Sequence, residues 1–188
     1  MKKIAKFEKV SFEQFYKDFV KCMESEYGFR KSVSSEDGTM YREYSVKEIR
    51  EIYDNIKLPK RATKGSAGYD FFCPIDITLC SGGTVFLPTG IRCYIEEGWV
   101  LKLYPRSGFG FKYRLQLDNT VGIIDSDYYF SDNEGHMMAK ITYDKKGSSL
   151  NIPQGQGYMQ GIFIEYGITC DDDTDGIRNG GFGSTDTK

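Results

Sequence analysis

The sequence is poor in histidine, with His136 alone among 188 residues. A zinc hydrolase or a histidine-based catalytic triad would therefore depend on that one side chain, because both chemistries use imidazole groups. Cysteine is also sparse, with five residues and no Cys-x-x-Cys pair. The odd number and the spacing indicate neither a disulfide framework nor a zinc site. We therefore expect free thiols in a reducing compartment.

Long apolar runs and an excess of positive charge are missing as well. No stretch approaches the roughly 20 apolar residues that a membrane span needs. The lysines at the amino terminus are not followed by an apolar block, so no secretory signal is indicated and we expect a cytoplasmic protein without membrane partners. The net charge is −2. A general nucleic-acid binder needs a surplus of Lys and Arg to neutralise phosphates, so nucleic acid is not an expected partner.

The first 57 residues contain two patterns typical of amphipathic helices. Ser11 and Gln14 are spaced as a capping box, and Gly28 follows as a stop signal. A second helix is predicted to begin at Ser45, with Glu48 reaching back to it. Apolar residues recur at helical spacing in both segments: Phe12, Phe15, Tyr16, Phe19, Val20 and Met23, then Val46, Ile49, Ile52, Tyr53 and Ile56. The polar residues 31–41 between the helices are predicted to form a loop.

From about residue 58 the pattern changes to short runs of β-branched and aromatic residues separated by turn signals. Runs such as TVFL, IRCYI and WVLKLY favour strands, and the recurring Gly, Asn and Asp between them favour a sandwich or barrel. The last residues are glycine-rich and too polar to form a core element, which predicts a mobile arm. We therefore divide the chain into a helical extension (1–57), an all-β core (58–170) and an arm (171–188).

Four segments have residues suited to chemistry, and each also has an ordinary structural explanation. Residues 64–72 and 104–110 are Gly- and Ser-containing turns beside strands, although the second joins a basic side chain to amides that suit an anion. In residues 117–130, Asp125 ends an apolar run, where it could act as a general base or merely begin a turn. In the tail, Arg178 suits phosphate and Phe182 suits stacking on a base, but a tail of this composition can also lack a function.

Five segments together, in this order, resemble the signature of the trimeric dUTP diphosphatase (dUTPase) family. The family carries Gly-Ser-Ala-Gly-x-Asp, Pro-Arg-Ser-Gly, Asn-x-x-Gly-x-Ile-Asp-x-x-Tyr and Gly-x-x-x-x-Gln segments, and a tail with Arg before Gly-Gly-Phe-Gly-Ser-Thr. They correspond here to residues 65–70, 105–108, 119–128, 155–160 and 178–185. The resemblance implies a jelly-roll-type β-barrel with an N-terminal helical extension, assembled as a homotrimer with shared active sites. The implied reaction converts dUTP and water to dUMP and pyrophosphate with Mg²⁺.

The resemblance also implies a role for each matching residue. Asp125 would activate the attacking water, and Tyr128 would lie under the deoxyribose and leave no room for a 2′-hydroxyl. Asp70 would lie near the water shell of the metal. The remaining contacts would be made to uracil by Asn119, Gly122 and Phe182, and to the phosphates by Arg106, Ser107, Gln160, Arg178, Ser184 and Thr185. Gly108 and Gly183 would also belong to the substrate-binding set.

Some positions depart from the family pattern, and two alternatives stay open. Phe130 and Gly157 replace a usual glycine and a usual basic residue, Arg178 lies one position closer to Phe182 than is common, and Asp186 replaces a glycine. One alternative is a dCTP deaminase on the same fold. The other is a nucleotide-gated regulatory protein that binds a protein partner through the N-terminal extension.

Overall fold

The computed structural model describes residues 2–35 and 38–181. Its helices are α1 (Phe12–Glu24), α2 (Val46–Asp54) and α3 (Ser107–Tyr113), with a 3₁₀-helix at Ser126–Phe130. Its strands are β1 (Ala5–Lys9), β2 (Lys31–Ser35), β3 (Gly38–Arg42), β4 (Lys60–Arg61), β5 (Tyr69–Phe72), β6 (Ile77–Leu79), β7 (Thr84–Pro88), β8 (Ile91–Ile95), β9 (Trp99–Pro105), β10 (Leu115–Leu117), β11 (Gly122–Ile124), β12 (Met138–Tyr143), β13 (Leu150–Ile152) and β14 (Gly157–Glu165).

All the strand pairs are antiparallel within the described residues, and they form small sheets around one hydrophobic core. The largest sheet has the order β11-β9-β14-β5-β4, and a second has the order β10-β12-β7. Inward positions alternate along β12 and β8, as expected for strands with one face against a core. The predicted all-β class is confirmed. None of the described helices has the length and apolar composition to cross a membrane.

Helix α1 begins as predicted at Ser11, whose hydroxyl accepts a hydrogen bond from the Gln14 amide at 3.1 Å. The second half of the predicted capping box differs, because the Ser11 amide donates to the Glu134 side chain instead. The helix ends at Glu24, before the predicted stop at Gly28. Phe15 and Phe19 are completely buried, so the aromatic face of α1 covers the core. A protein partner for the extension stays a prediction to which these aromatic rings give no support.

Helix α2 confirms the second capping prediction in full. The Ser45 hydroxyl accepts from the Glu48 amide, and the Glu48 carboxylate accepts from the Ser45 amide. Ile49 and Ile52 are buried, whereas Val46 is 57% exposed and does not belong to the packed face.

The predicted loop at residues 31–41 is wrong, because β2 and β3 pair there as an antiparallel hairpin. The polar composition concealed the strands, whose side chains give no apolar alternation to detect. Strand β1 was also missed, and it pairs with β8 over its whole length. The helical extension is thus joined to the β core by a ladder as well as by α1. The domain boundaries at 57 and 170 stay predictions.

Candidate functional site

The first part of the site is a cavity of about 170 Å³ between the segment that connects β10 to β11 and the 3₁₀-helix. It contains four of the predicted binding residues: Asn119, Gly122 and Tyr128, and Arg178 from the tail. Its other lining residues are Leu103, Ile123, Ile124, Met137, Met138 and Gly181. Main-chain groups and apolar side chains thus border one small space, which suits a flat ring.

Gly122 is buried where β11 pairs with β9. A Cβ atom at this position would lie 3.0 Å from the Leu103 Cβ, which is tighter than ordinary contact. Glycine therefore permits close packing of β11 on β9. Thr120, in the turn between β10 and β11, has φ of 64°, and its amide donates to the Leu117 carbonyl. This bond helps to hold the tight turn beside Asn119.

Tyr128 forms one wall of the cavity and is 5% exposed. Its hydroxyl donates to the His136 carbonyl at 2.8 Å and accepts from the Asn133 side-chain amide at 2.8 Å. Burial raises the pKa of Tyr128 above its usual value of 10.0, although the Asn133 hydrogen bond acts in the opposite direction. The hydroxyl consequently stays protonated at neutral pH and continues to donate to His136. The ring is thereby held at its polar end.

Asp125 lies at the end of β11, immediately before the 3₁₀-helix, and is half-buried. Its Oδ2 is 2.5 Å from Arg178 Nη2. The same guanidinium lies 3.0 Å from Asp127 through Nε. One arginine of the tail therefore faces two carboxylates at the mouth of the cavity. The structure brings Arg178 to Asp125, whereas the resemblance assigned it to a phosphate.

A second cluster combines the other predicted residues. Asp70 on β5 forms an ion pair with Arg106, with Nε and Oδ1 3.2 Å apart. Arg106 Nη1 also donates to the Gly157 carbonyl at 3.3 Å. A Cβ at Gly157 would lie 2.8 Å from that Nη1, so glycine makes room for the guanidinium where the family usually has a basic residue. The departure at Gly157 thus has a packing explanation.

Gln160 belongs to this second cluster because β14 pairs it with Asp70 on one side and Tyr104 on the other. Ser107 and Gly108 are exposed beside it. The predicted turn here is wrong, because these residues form the first turn of α3, with Arg106 as its cap. A first helical turn presents amides that lack intrahelical partners, so the anion-binding interpretation keeps its physical basis.

The two clusters lie at opposite ends of β9. Asp125 follows Ile124, which pairs with Leu101, whereas Arg106 follows the far end of the same strand. At a rise of about 3.3 Å per residue, this register separates the backbones of Asp125 and Arg106 by about 20 Å. No hydrogen bond or ion pair joins the clusters among residues 2–35 and 38–181. A single chain therefore does not assemble all the predicted residues in one place.

The tail residues Phe182, Gly183, Ser184 and Thr185, as well as Asp186, lie outside the described residues. Gly181 is described, and a Cβ there would lie 2.8 Å from Tyr128 Cε2. Gly181 belongs to the predicted tail segment, whereas several other residues at or beside the cavity were not predicted: Leu103, Asp127, Asn133, His136, Met137 and Met138. The carboxylate of Asp127 two positions after Asp125 was the one available signal, since buried methionines resemble any core position.

Architecture and site together define a β protein with a cavity for a flat ring and a separate Arg–Asp cluster suited to an anion. The dUTPase family model matches residues 54–185. A deoxyuridine 5′-triphosphate nucleotidohydrolase from Lactococcus lactis subsp. lactis is 38% identical over 143 residues, covering 73% of this chain and 95% of that protein. A relative of the same name from Tolumonas auensis is 34% identical, covering 71% and 90%.

The crystal structure of dUTPase from Streptococcus mutans superposes with a TM-score of 0.54 and 36% identity, covering 60% of this chain and 88% of that one. The dUTPase from phage phi11 of S. aureus has a TM-score of 0.54 at 21% identity, covering 66% and 92%, and shows the same fold. The chain belongs to the dUTPase family. The jelly-roll-type β fold implied by the five segments is confirmed with it.

Proposed function

We propose that this protein hydrolyses dUTP to dUMP and pyrophosphate, by attack of an activated water on the α-phosphorus. The observation that supports the proposal most directly is the cavity, in which Asn119, Gly122 and Tyr128 surround a space about 170 Å³ in volume with Asp125 at its edge. Membership of the dUTPase family supports the same reaction.

Uracil would enter between the segment from β10 to β11 and Tyr128, where main-chain groups would read its polar edge. The cavity is small, about 170 Å³, which limits the space for the methyl group of thymine. A pocket that lacks space for one methyl group discriminates between substrates by only about 10- to 200-fold. Rejection of dTTP and dCTP should therefore also depend on mismatched hydrogen bonds. Tyr128 would pack against the deoxyribose and exclude a 2′-hydroxyl.

Asp125 would accept the proton of the attacking water. Its carboxylate is half-exposed at the cavity mouth, where a water molecule can approach. It also forms an ion pair with the Arg178 guanidinium. Arg106, Ser107 and Gln160 would hold the phosphates through charge and hydrogen bonds, with Gly108 beside them. Arg178, Ser184 and Thr185 would join them when the arm closes, and Phe182 would then stack on uracil. Phosphoryl transfer is mainly positioning and charge neutralisation, so this set needs no histidine or cysteine.

The acidic residues near the site fit an Mg²⁺ ion that is coordinated mainly by the triphosphate of the substrate. No group of three or more His, Cys, Asp or Glu side chains forms a metal cage within the described part of the chain. Mg²⁺ at nucleotide sites commonly uses phosphates, waters and one or two carboxylates, and Asp70 is the candidate carboxylate near its water shell. When bound, the ion would neutralise the charge that develops on the phosphates.

The active site would be shared between copies in a homotrimer. About 20 Å along β9 separates Asp125 from Arg106, whereas the phosphorus atoms of a triphosphate are only a few ångströms apart. The two ends can act on one nucleotide only if the Asp125 end of one copy meets the Arg106 end of another. The cytoplasmic location stays a prediction.

The test is a panel of dUTP, dTTP, dCTP and UTP with Mg²⁺, with pyrophosphate and ammonia measured for each. We expect pyrophosphate from dUTP and little from the other three. Release of ammonia from dCTP would instead identify the deaminase, and binding of dUTP without turnover would favour the regulatory alternative.

A further inference from the structure

His136 is completely buried and both of its ring nitrogens are hydrogen-bonded. The Gly90 amide can only donate, so His136 Nε2, 2.8 Å away, must accept. The ring proton therefore lies on Nδ1 and donates to Asp18 Oδ2 at 2.6 Å. Asp18 is a residue of α1 and only 4% exposed. The helix thus fixes both the tautomer and the orientation of the imidazole.

The main chain of His136 is the acceptor for the hydroxyl of Tyr128, at 2.8 Å. The position of the Tyr128 ring in the cavity depends in this way on the position of one carbonyl group. Since that carbonyl belongs to a residue whose side chain is held by Asp18, α1 and the cavity wall are linked through two hydrogen bonds, one to the side chain and one to the main chain of His136.

The backbone conformation of the segment before His136 is restricted. Gly135 has φ of 68°, and a Cβ there would lie 2.6 Å from the Tyr128 carbonyl oxygen. Glu134 has φ of 57°, a region that non-glycine residues seldom adopt. Its carboxylate accepts from both the amide and the hydroxyl of Ser11, the cap of α1. Hydrogen bonds to Ser11 and Asp18 therefore attach this segment to α1, at Glu134 and at His136 respectively.

Asp18 lies outside residues 54–185, which the family model matches. We propose that Asp18 is a positioning residue for the nucleotide site, which holds Tyr128 in place through His136 and thereby sets the discrimination between deoxyribose and ribose. The N-terminal helix is then part of the machinery of substrate selection. The kinetic part of this inference rests on the proposed hydrolysis of dUTP.

The test compares Asp18→Ala, Asp18→Asn and Phe19→Leu in the full chain, with kcat and KM measured for dUTP and UTP. Gln14 Nε2 and His136 Nδ1 both donate to the same oxygen of Asp18, so the carbonyl oxygen of asparagine can replace it. Phe19 follows Asp18 on α1 and packs in the core against Phe15, Phe29 and Tyr44, but its side chain cannot hydrogen-bond to His136, so it is the control for a general loss of stability.

We expect Asp18→Ala to lower the dUTP/UTP ratio of kcat/KM by about 10-fold, mainly through a higher KM for dUTP, because Tyr128 contributes to binding. Asp18→Asn should restore the ratio to within about twofold, and Phe19→Leu should leave it unchanged. In a Tyr128→Phe background, Asp18→Ala should have little further effect on the ratio, because the hydroxyl that transmits it is gone.

A second readout does not depend on activity. Hydrogen–deuterium exchange at the His136 amide should accelerate in Asp18→Ala, remain near the wild-type rate in Asp18→Asn and change little in Phe19→Leu. An unchanged exchange rate in Asp18→Ala, or an equal loss of discrimination in Phe19→Leu, overturns the proposal. If the wild type fails to hydrolyse dUTP, the proposed function falls, and the exchange rates still decide whether Asp18 holds this segment.

Discussion

Arg178 Nη2 and Asp125 Oδ2 lie 2.5 Å apart at the mouth of the cavity. The pair joins the arm of the chain to the carboxylate that is proposed to activate water. A carboxylate has two oxygens with several lone pairs between them, so Asp125 can bind the guanidinium and a water molecule at the same time, and Arg178 helps to fix its orientation. The arm therefore bears on catalysis through Asp125 as well as through the phosphates.

The first prediction concerns Asp125→Asn. The amide keeps the shape of the carboxylate but cannot accept a proton, so kcat for dUTP should fall by about 10²- to 10⁴-fold while dUMP binding is retained. The rate of pyrophosphate release measures the loss of kcat, and calorimetry measures the binding of dUMP. Asp127→Asn is the matched control, because Asp127 faces the same guanidinium, and its kcat should stay close to that of the wild type. Unchanged turnover in Asp125→Asn would remove this residue from the mechanism.

Removal of the chain from Arg178 onward should abolish most activity and leave the proposed homotrimer intact. The arm is proposed to close over the triphosphate, whereas the core strands that pack the chain all precede residue 166. Size-exclusion chromatography with light scattering checks assembly beside the activity assay. Arg178→Ala in the full chain should lower kcat/KM by about 10-fold or more, the value of a lost charge-assisted contact. Full activity of the truncated protein would contradict a role for the arm.

Gly181→Ala should weaken catalysis without unfolding the protein. The added Cβ would lie 2.8 Å from Tyr128 Cε2, so the arm could no longer approach the cavity wall. We expect a loss in kcat/KM of about 10-fold with an unchanged thermal midpoint, since Gly181 lies outside the core cluster. Gly176→Ala is the control, because no atom lies within 4 Å of its added Cβ. Equal kinetics for the two alanine variants would show that Gly181 does not approach Tyr128 during turnover.

The cysteines should separate into two reactive and three inert thiols. Burial raises the pKa of Cys22, Cys73 and Cys93 to about 12, so the thiolate is scarce at each. Cys80 and Cys170 are exposed. Iodoacetamide at about pH 8, followed by peptide mass spectrometry, should modify the exposed pair in the folded protein and all five only after denaturation. Early modification of Cys22 would mean that α1 opens readily.

Asp18 should make the free energy of unfolding depend on pH in the acidic range. Burial disfavours the charged form, but hydrogen bonds from His136 and Gln14 outweigh it and lower the pKa of Asp18 below the usual 3.8. The unfolded chain therefore binds the proton more readily, so this stabilisation is complete above pH 3.8 and is lost as pH falls through the lowered pKa. Urea unfolding from about pH 6 to about pH 3 should show the advantage of wild type over Asp18→Asn shrinking toward zero. A constant difference would contradict the linkage.

Local sequence was sufficient for several elements. Ser45 and Glu48 are three residues apart in a helical context, so the capping box and the start of α2 follow from neighbouring residues alone. Ser11 likewise predicts the start of α1. The hairpin at β2 and β3 was missed because polar strands carry no alternation that distinguishes them from a loop.

The sequence by itself determined the first residues of α1 and α2 and the mostly-β core, and its five ordered segments indicated which residues to expect at the site. Only the tertiary structure decided which of those residues meet: Asp125 with Arg178, Asp70 with Arg106, and the two clusters at opposite ends of β9. It alone brought Asp18 to His136, across 118 positions of the chain. Capping and hydrophobic periodicity act within a few residues, whereas strand register and buried hydrogen bonds between distant segments arise when the whole core packs.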